Sequence, residues 1–207
     1  SDNSTMPAPL LVLSTRNEKK RREMVALLAP HGIEVRSLAD FPAAPEVEET
    51  GATFAENAAL KASVVAKGLG DWTLADDSGL EVDALGGAPG VYSARYAGPE
   101  CDDEANNDRL LADLAGVADD NRGAGYVCHL ALADSTGEIR LRVEQRCRGR
   151  VTHQRHGSGG FGYDPLFYLP EYHKTFGRLG PELKNAISHR ARAFQKILPK
   201  LVRLVGR

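Results

Sequence analysis

Apolar residues fall along the chain in short runs divided by polar, Gly- and Pro-rich stretches, and most runs have the length of a strand or the spacing of a helix. Leu10 to Leu13 is a continuous apolar run fit for a buried strand, stopped by Ser14-Thr15-Arg16-Asn17. Asn17 can cap a helix over Glu18 to Leu28, where Met24, Leu27 and Leu28 share a face. His31-Gly32 ends it, and Ile33 to Leu38 reads as a second strand. The Pro-rich, acidic segment Phe41 to Thr50 reads as a loop. A capping box, Thr53-x-x-Glu56, opens a helix running to about Lys67, with Gly68 expected to close it. Trp72 to Asp77 is expected to be a strand, with Leu80 to Val82 a short continuation after a bend.

Further on, Leu85 to Gly90 is a turn-rich connection, and Asp102 or Asp103 caps a helix reaching about Leu114. Tyr126 to Ala133 and Ile139 to Gly149 are strands joined by Asp134-Ser135-Thr136-Gly137, an antiparallel hairpin signal. A Gly-rich loop, Gly157 to Gly162, precedes a short strand, Leu166 to Tyr168. Pro181 to Ile187 is a short helix. Ser188 then caps a final helix in which Ala193, Ile197, Leu198 and Leu201 repeat at helical spacing. Helices and strands in mixed order, with a hairpin in the middle, indicate an α/β fold on a mixed sheet. Residues 1–9 are expected to be a flexible leader, and residues 10–207 one domain.

Bulk composition narrows the function. The hydrophobic fraction of 42% and charged fraction of 26% are ordinary for a globular protein, and the net charge of −2 gives no general attraction to nucleic acid or anionic lipid. Phosphate binding, if present, must come from a local cluster. Cys101, Cys128 and Cys147 include no C-x-x-C pair, which favours a reducing cytoplasmic setting. No apolar stretch reaches membrane-spanning length, so neither membrane nor nucleic acid is an expected partner.

The segment A-D-D-S-G-L is the most telling candidate chemistry. Asp76 and Asp77 end an apolar run, and a carboxylate at the tip of a buried strand is costly unless a metal, a Lys or a helix N-terminus meets it. Successive strand residues face opposite ways, so at most one of the two acids faces any given site. A solvated acidic turn is the competing reading. Thr15, Asn17 and Lys20 surround a helix N-terminus suited to phosphate, without the full P-loop pattern. Asn57 and Lys61 share a helical face just after Glu48 and Glu49. Four glycines between Gly157 and Gly162 allow close approach of a ligand, and Phe161 or Tyr163 could stack on a flat base. Ser188-His189-Arg190 places basic groups against the helix dipole, an arrangement that an anion or polar ligand would compensate. His153 and His156 lack a third ligand at zinc spacing, and Cys128 alternates as a core residue.

Together these segments resemble the inosine triphosphate pyrophosphatase family, also called Ham1-like or RdgB-type. The resemblance rests on T-R-N-E-K-K (Thr15 to Lys20), E-E-T-G-A-T-F-x-E-N-A-x-x-K-A (Glu48 to Ala62) and A-D-D-S-G-L-E-V-D-A-L-G-G-A-P-G (Ala75 to Gly90). It continues through Y-S-A-R-Y (Tyr92 to Tyr96), G-x-G-G-F-G-Y-D-P (Gly157 to Pro165) and I-S-H-R (Ile187 to Arg190). It implies hydrolysis of ITP, dITP and XTP to the nucleoside monophosphate and pyrophosphate with Mg²⁺, or Mn²⁺ in its place. It also implies an elongated mixed sheet flanked by helices, two lobes with a central nucleotide cleft, and a homodimer.

By motif position the resemblance makes Asp77 the general base and a metal ligand, with Glu49 or its neighbour Glu48 helping to hold Mg²⁺. Lys61 joins Asp77 in catalysis. The segment Thr15, Arg16, Asn17, Glu18, Lys19 and Lys20 becomes substrate-binding, and Ser78 contacts substrate beside the base. Phe161, Gly162, Tyr163 and Asp164, with Lys184, His189 and Arg190, would form the purine pocket. The first loop often reads T-G-N-x-G-K in the family; here Arg16 and Lys19 replace both glycines. Arg16 either adds charge to the site or faces solvent. The S-H-R and G-G-F-G-Y-D segments argue against the Maf-like nucleotide pyrophosphatases.

Overall fold

The structure is a computed structural model, and it describes residues 7–206. Most of the expected leader therefore lies outside the described residues. Its last residue is tied down, since the Pro9 carbonyl accepts a hydrogen bond from the Glu34 N–H at 2.9 Å.

Seven strands form one mixed sheet: β1 (Leu10–Leu13), β2 (Glu34–Ser37), β3 (Thr73–Val82), β4 (Gly123–Ala133), β5 (Ile139–Val151), β6 (Phe167–Leu169) and β7 (Lys174–Thr175). Their order is β2-β1-β3-β4-β5-β6-β7. β1 lies parallel to β2 and to β3, with Leu11 opposite Val35 and Leu13 opposite Leu74. Parallel neighbours need long crossovers, and helices α1 (Glu18–Leu28) and α2 (Phe54–Leu69) supply them. At the other end β6 is antiparallel to β5 and to β7. The hairpin between β4 and β5 closes as its sequence indicates. The Gly137 N–H donates to Asp134 O at 2.9 Å, and the Asp134 side chain accepts from Thr136. The remaining helices are α3 (Asp103–Asp113), α4 (Pro181–Ile187) and α5 (His189–Val205).

The chain divides into two compact units. One holds the described residues up to Asp76, His129–Val143 and the described residues from Phe194 on. Its core includes a seam of alanines: Ala58, Ala62 and Ala66 of α2 meet Ala75, Ala131 and Ala133. Spacing of four puts the helical alanines on one face, and their small side chains let helix and strands approach closely. A second cluster joins Val12, Leu38, Ala44 and Val65. The other unit holds Asp77–Cys128 and Glu144–Ala193. Larger side chains fill its core, among them Leu80, Leu110, Tyr126, Phe167 and Phe176. Phe167 lies 4.6 Å from the Tyr126 ring and 5.5 Å from the Phe176 ring.

Several local expectations change: β4 begins at Gly123 rather than Tyr126, β5 runs to Val151 rather than Gly149, and β6 spans Phe167–Leu169. β2 stops at Ser37, because Leu38–Asp40 is a 3-10 turn in which Asp40 accepts from the Ser37 N–H at 3.0 Å. α2 runs on to Leu69 and closes at Gly70, whose φ of 72° is the left-handed cap conformation. Gly68 is instead a packing residue, as a Cβ there would stand 2.9 Å from Pro45. Most consequentially, β3 does not stop at Asp77. It runs ten residues through Ser78 and Gly79 to Val82, so the two acids sit inside a buried strand rather than at its tip. Gly79 stays extended, and Ser93 Oγ accepts from the Leu80 N–H at 2.9 Å.

Candidate functional site

In the first unit, the candidate residues gather on two elements that follow strands. The loop after β1 leads into α1, and Asn17 is its N-cap: Oδ1 accepts from Lys19 N–H at 3.0 Å and Lys20 N–H at 3.1 Å. Thr15 Oγ1 in turn accepts from Asn17 N–H at 3.2 Å. The helix amides that could have met a phosphate directly are thus shared with Asn17, which keeps its own NH₂ as a donor. Glu18 turns toward Arg21, whose Nε donates at 2.7 Å, and this guanidinium holds the Glu18 carboxyl down at about 2. Arg16 and Lys19 are both exposed. The loop borders a cavity of about 150 Å³ lined by Thr15, Arg16, Asn17 and Glu18.

Lys20 reaches from α1 to the strand. Its Nζ lies 3.1 Å from Asp76 Oδ1, and the Asp76 side chain is 1% exposed. The buried acid that strand alternation sets apart from Asp77 therefore holds a lysine in place. On α2, Lys61 Nζ lies 2.9 Å from Glu49 Oε1, with both side chains mostly buried. Glu48 is exposed, so the fold separates two acids that the sequence leaves equivalent. The preceding turn explains the placement. Asn57, fully buried, accepts from the Gly51 N–H at 2.7 Å, and a Cβ on residue 51 would lie 2.6 Å from Asn57 Oδ1. Only glycine lets the Glu48-Glu49 loop pack onto α2 this closely.

The second unit carries the remaining candidates. Asp77 is 5% exposed. Ser78 Oγ accepts from Arg190 Nη2 at 2.9 Å. His189 and Arg190, both buried, open α5, where the Ser188 Oγ cap accepts from Ala191 N–H at 3.1 Å. The His189 ring stacks on Tyr126 at 4.6 Å and 9°. Tyr126 donates to Asp164 Oδ1 at 3.1 Å, while Lys184 Nζ lies 2.7 Å from Asp164 Oδ2. Asp164 is therefore a hub: its Oδ2 also accepts from Phe161 N–H at 3.0 Å and so shapes the Gly-rich loop. Gly160, at φ 70°, passes so close that a Cβ would stand 2.0 Å from this oxygen. Gly162 is pinned by Asp103 and Asn107 at 2.8 and 3.0 Å.

The two aromatic residues of that loop part company. Phe161 stays half-exposed, with Lys184 4.4 Å and Arg190 5.9 Å from its ring centre. Tyr163, expected as an alternative base-stacking ring, belongs to the core instead: it is 4% exposed and donates to Ser93 O at 2.6 Å. Burial raises its phenol well above the usual range. Tyr126 is the residue that sequence reasoning missed. Every position around it in β4 is buried, so no alternation singles it out, and its phenol is pushed far up by burial first and Asp164 second.

Among the described residues no three His, Cys, Asp or Glu side chains gather into a metal cluster. Glu49 and Asp77 each carry hard carboxylate oxygens, the kind of donor Mg²⁺ takes, commonly together with waters and substrate phosphates. His153 pairs with Asp119, and Cys128 is buried in the core, on β4. No described helix is long and apolar enough to cross a membrane.

Comparison with known proteins adds a family. Residues 11–200 match the model of the Ham1 family. The chain is 54% identical over 195 residues to a protein of Rhodopirellula baltica named dITP/XTP pyrophosphatase, covering 94% of each chain. It is 53% identical over 194 residues to one of the same name from Desulforamulus reducens, covering 94% of this chain and 96% of that one. Among solved structures it resembles the Ham1 protein of Coxiella burnetii, with a TM-score of 0.85, 39% identity and coverage of 94% and 99%. The Staphylococcus aureus Ham1 protein gives 0.82, 38% identity and coverage of 93% and 97%.

Proposed function

Because the chain belongs to the Ham1 family, we propose that it hydrolyses the deaminated purine nucleotides ITP, dITP and XTP to the nucleoside monophosphate and pyrophosphate. The observation that carries this reading is the near full-length match to relatives named dITP/XTP pyrophosphatase at about half identity. Asp77 takes a proton from water, whose oxygen attacks phosphorus at the α–β anhydride. The P–O bond breaks, and pyrophosphate leaves. Lys20 and Lys61 meet the triphosphate charge, each already positioned by a carboxylate, Asp76 and Glu49. Thr15 and the Asn17 amide add neutral donors. Glu49 and Asp77 would hold Mg²⁺, or Mn²⁺, which when bound neutralises phosphate charge.

Phe161 offers a partly exposed face to the base, with Lys184 and Arg190 as neighbouring donors. A donor such as Arg190 satisfies the six-position carbonyl of hypoxanthine or xanthine, whereas the amino group of adenine would leave it unpaired. Removal of damaged purines from the nucleotide pool of a reducing cytoplasm, by a homodimer, completes the reading.

Pyrophosphate release across ITP, dITP, XTP, ATP, GTP, dUTP and dTTP, with and without Mg²⁺, tests it. Metal-dependent release from the first three at rates well above the others is expected. No release from inosine or xanthosine triphosphates would overturn it.

A further inference from the structure

Arg146, Arg148 and Arg150 alternate along β5 and so project from one side of it. The first two are neutralised by carboxylates. Arg146 lies 2.5 Å from Glu81 and 3.7 Å from Glu144, and Arg148 lies 2.6 Å from Asp83. Arg150 breaks the pattern, making no ion pair among the described residues. Its guanidinium instead lies 4.7 Å over the ring of Tyr168, its register partner on β6. Asp119, which feels the Arg150 charge, is already engaged by His153.

Beside this pair opens a cavity of about 300 Å³, lined further by Thr152, His156, His173, Lys174, Thr175 and Arg178. No carboxylate lines it, and Lys174 and Arg178 likewise make no ion pair among the described residues. His173 is held at φ 52°, one of two described non-glycine residues in the left-handed region. It is the left-handed C-cap of the 3-10 turn Pro170–Tyr172, and its N–H donates to Pro170 O. Strand alternation separates the cavity from the Tyr126–His189 stack. Phe167 packs on Tyr126, and the next residue, Tyr168, faces the opposite side of the sheet.

Three cations brought to one cavity without a carboxylate repel one another, and an anion among them relieves that repulsion. The volume exceeds the needs of a single phosphate group. Arg150 lies over one face of Tyr168, the one phenyl-type ring in the lining, so that face is not open to a nucleotide base. We propose that this cavity binds a small free oligophosphate, diphosphate being the simplest, through Arg150, Lys174 and Arg178, with His156 and His173 as further donors. The proposal does not depend on the reaction described above, because its readout is binding.

The test is a titration of the metal-free full chain with inorganic pyrophosphate and, separately, orthophosphate. The imidazole resonances of His156 and His173 and the heat of binding are followed. The background is Lys61→Ala, which removes one triphosphate-gripping cation. Saturable shifts are expected, with affinity reduced about tenfold or more in Lys174→Glu/Arg178→Glu, two exposed positions whose reversal leaves the core intact. Circular dichroism confirms the fold of the variant. Orthophosphate binding about tenfold weaker than pyrophosphate supports an oligophosphate site. Equal or tighter orthophosphate binding overturns it in favour of a single-phosphate site. Shifts that never saturate, that sodium chloride reproduces at equal ionic strength, or that survive charge reversal overturn any phosphate site here.

Discussion

Asp76 and Asp77 are neighbours on one strand, and strand alternation turns them to opposite faces. Asp76 is buried against Lys20, and its replacement by Asn would leave the ammonium held by a neutral amide. Asp76→Asn is expected to lower stability by about 1–3 kcal/mol. In ITP hydrolysis its main effect should be on KM, raised about tenfold, because a less well positioned Lys20 weakens ground-state and transition-state binding alike. Asp77→Asn should act on kcat, lowering it about 10²- to 10⁴-fold with little change in KM. Steady-state pyrophosphate release and urea denaturation of both variants check this split. An undiminished rate in Asp77→Asn would remove it as the base. The same logic distinguishes Glu49, seated on Lys61, from exposed Glu48.

Among the elements, helix ends were readable wherever a side chain caps its own backbone. Asn17, Thr53, Asp102 and Ser188 each cap the helix they precede. Glycine was more ambiguous, because it serves turns and close packing alike. Gly68 and Gly70 differ by two residues, and only Gly70 takes the left-handed angle. Gly70→Ala is therefore expected to cost about 1 kcal/mol, measured by the urea midpoint at constant slope. β3 shows the converse error. The Asp-Asp-Ser-Gly stretch has the composition of a turn, yet strand pairing and Ser93 keep it extended through Val82. β7, two residues long, has no periodicity to detect.

At the scale of the whole molecule, the candidate-site and core residues of the second unit are mechanically joined. Phe167 packs on Tyr126, which supports His189 by stacking and Asp164 by a hydrogen bond. Phe167→Ala is expected to cost about 3–5 kcal/mol in urea denaturation. It should also raise KM for ITP, whereas a purely structural role would leave KM unchanged. By itself the sequence determined the order of the helices and of six of the seven strands, most of their caps, the Gly-rich loop and the family motifs, because each is a local pattern of side chains along the backbone. Tertiary structure alone decided that Asp76 serves Lys20, that Glu49 rather than Glu48 meets Lys61, that Tyr163 is buried, and that Tyr126 and Lys184 share Asp164. Those partners are 56 residues apart for Lys20 and Asp76, 38 for Tyr126 and Asp164, and 20 for Lys184 and Asp164. Local periodicity shows which way a side chain points, but its partner is chosen only when distant segments pack together.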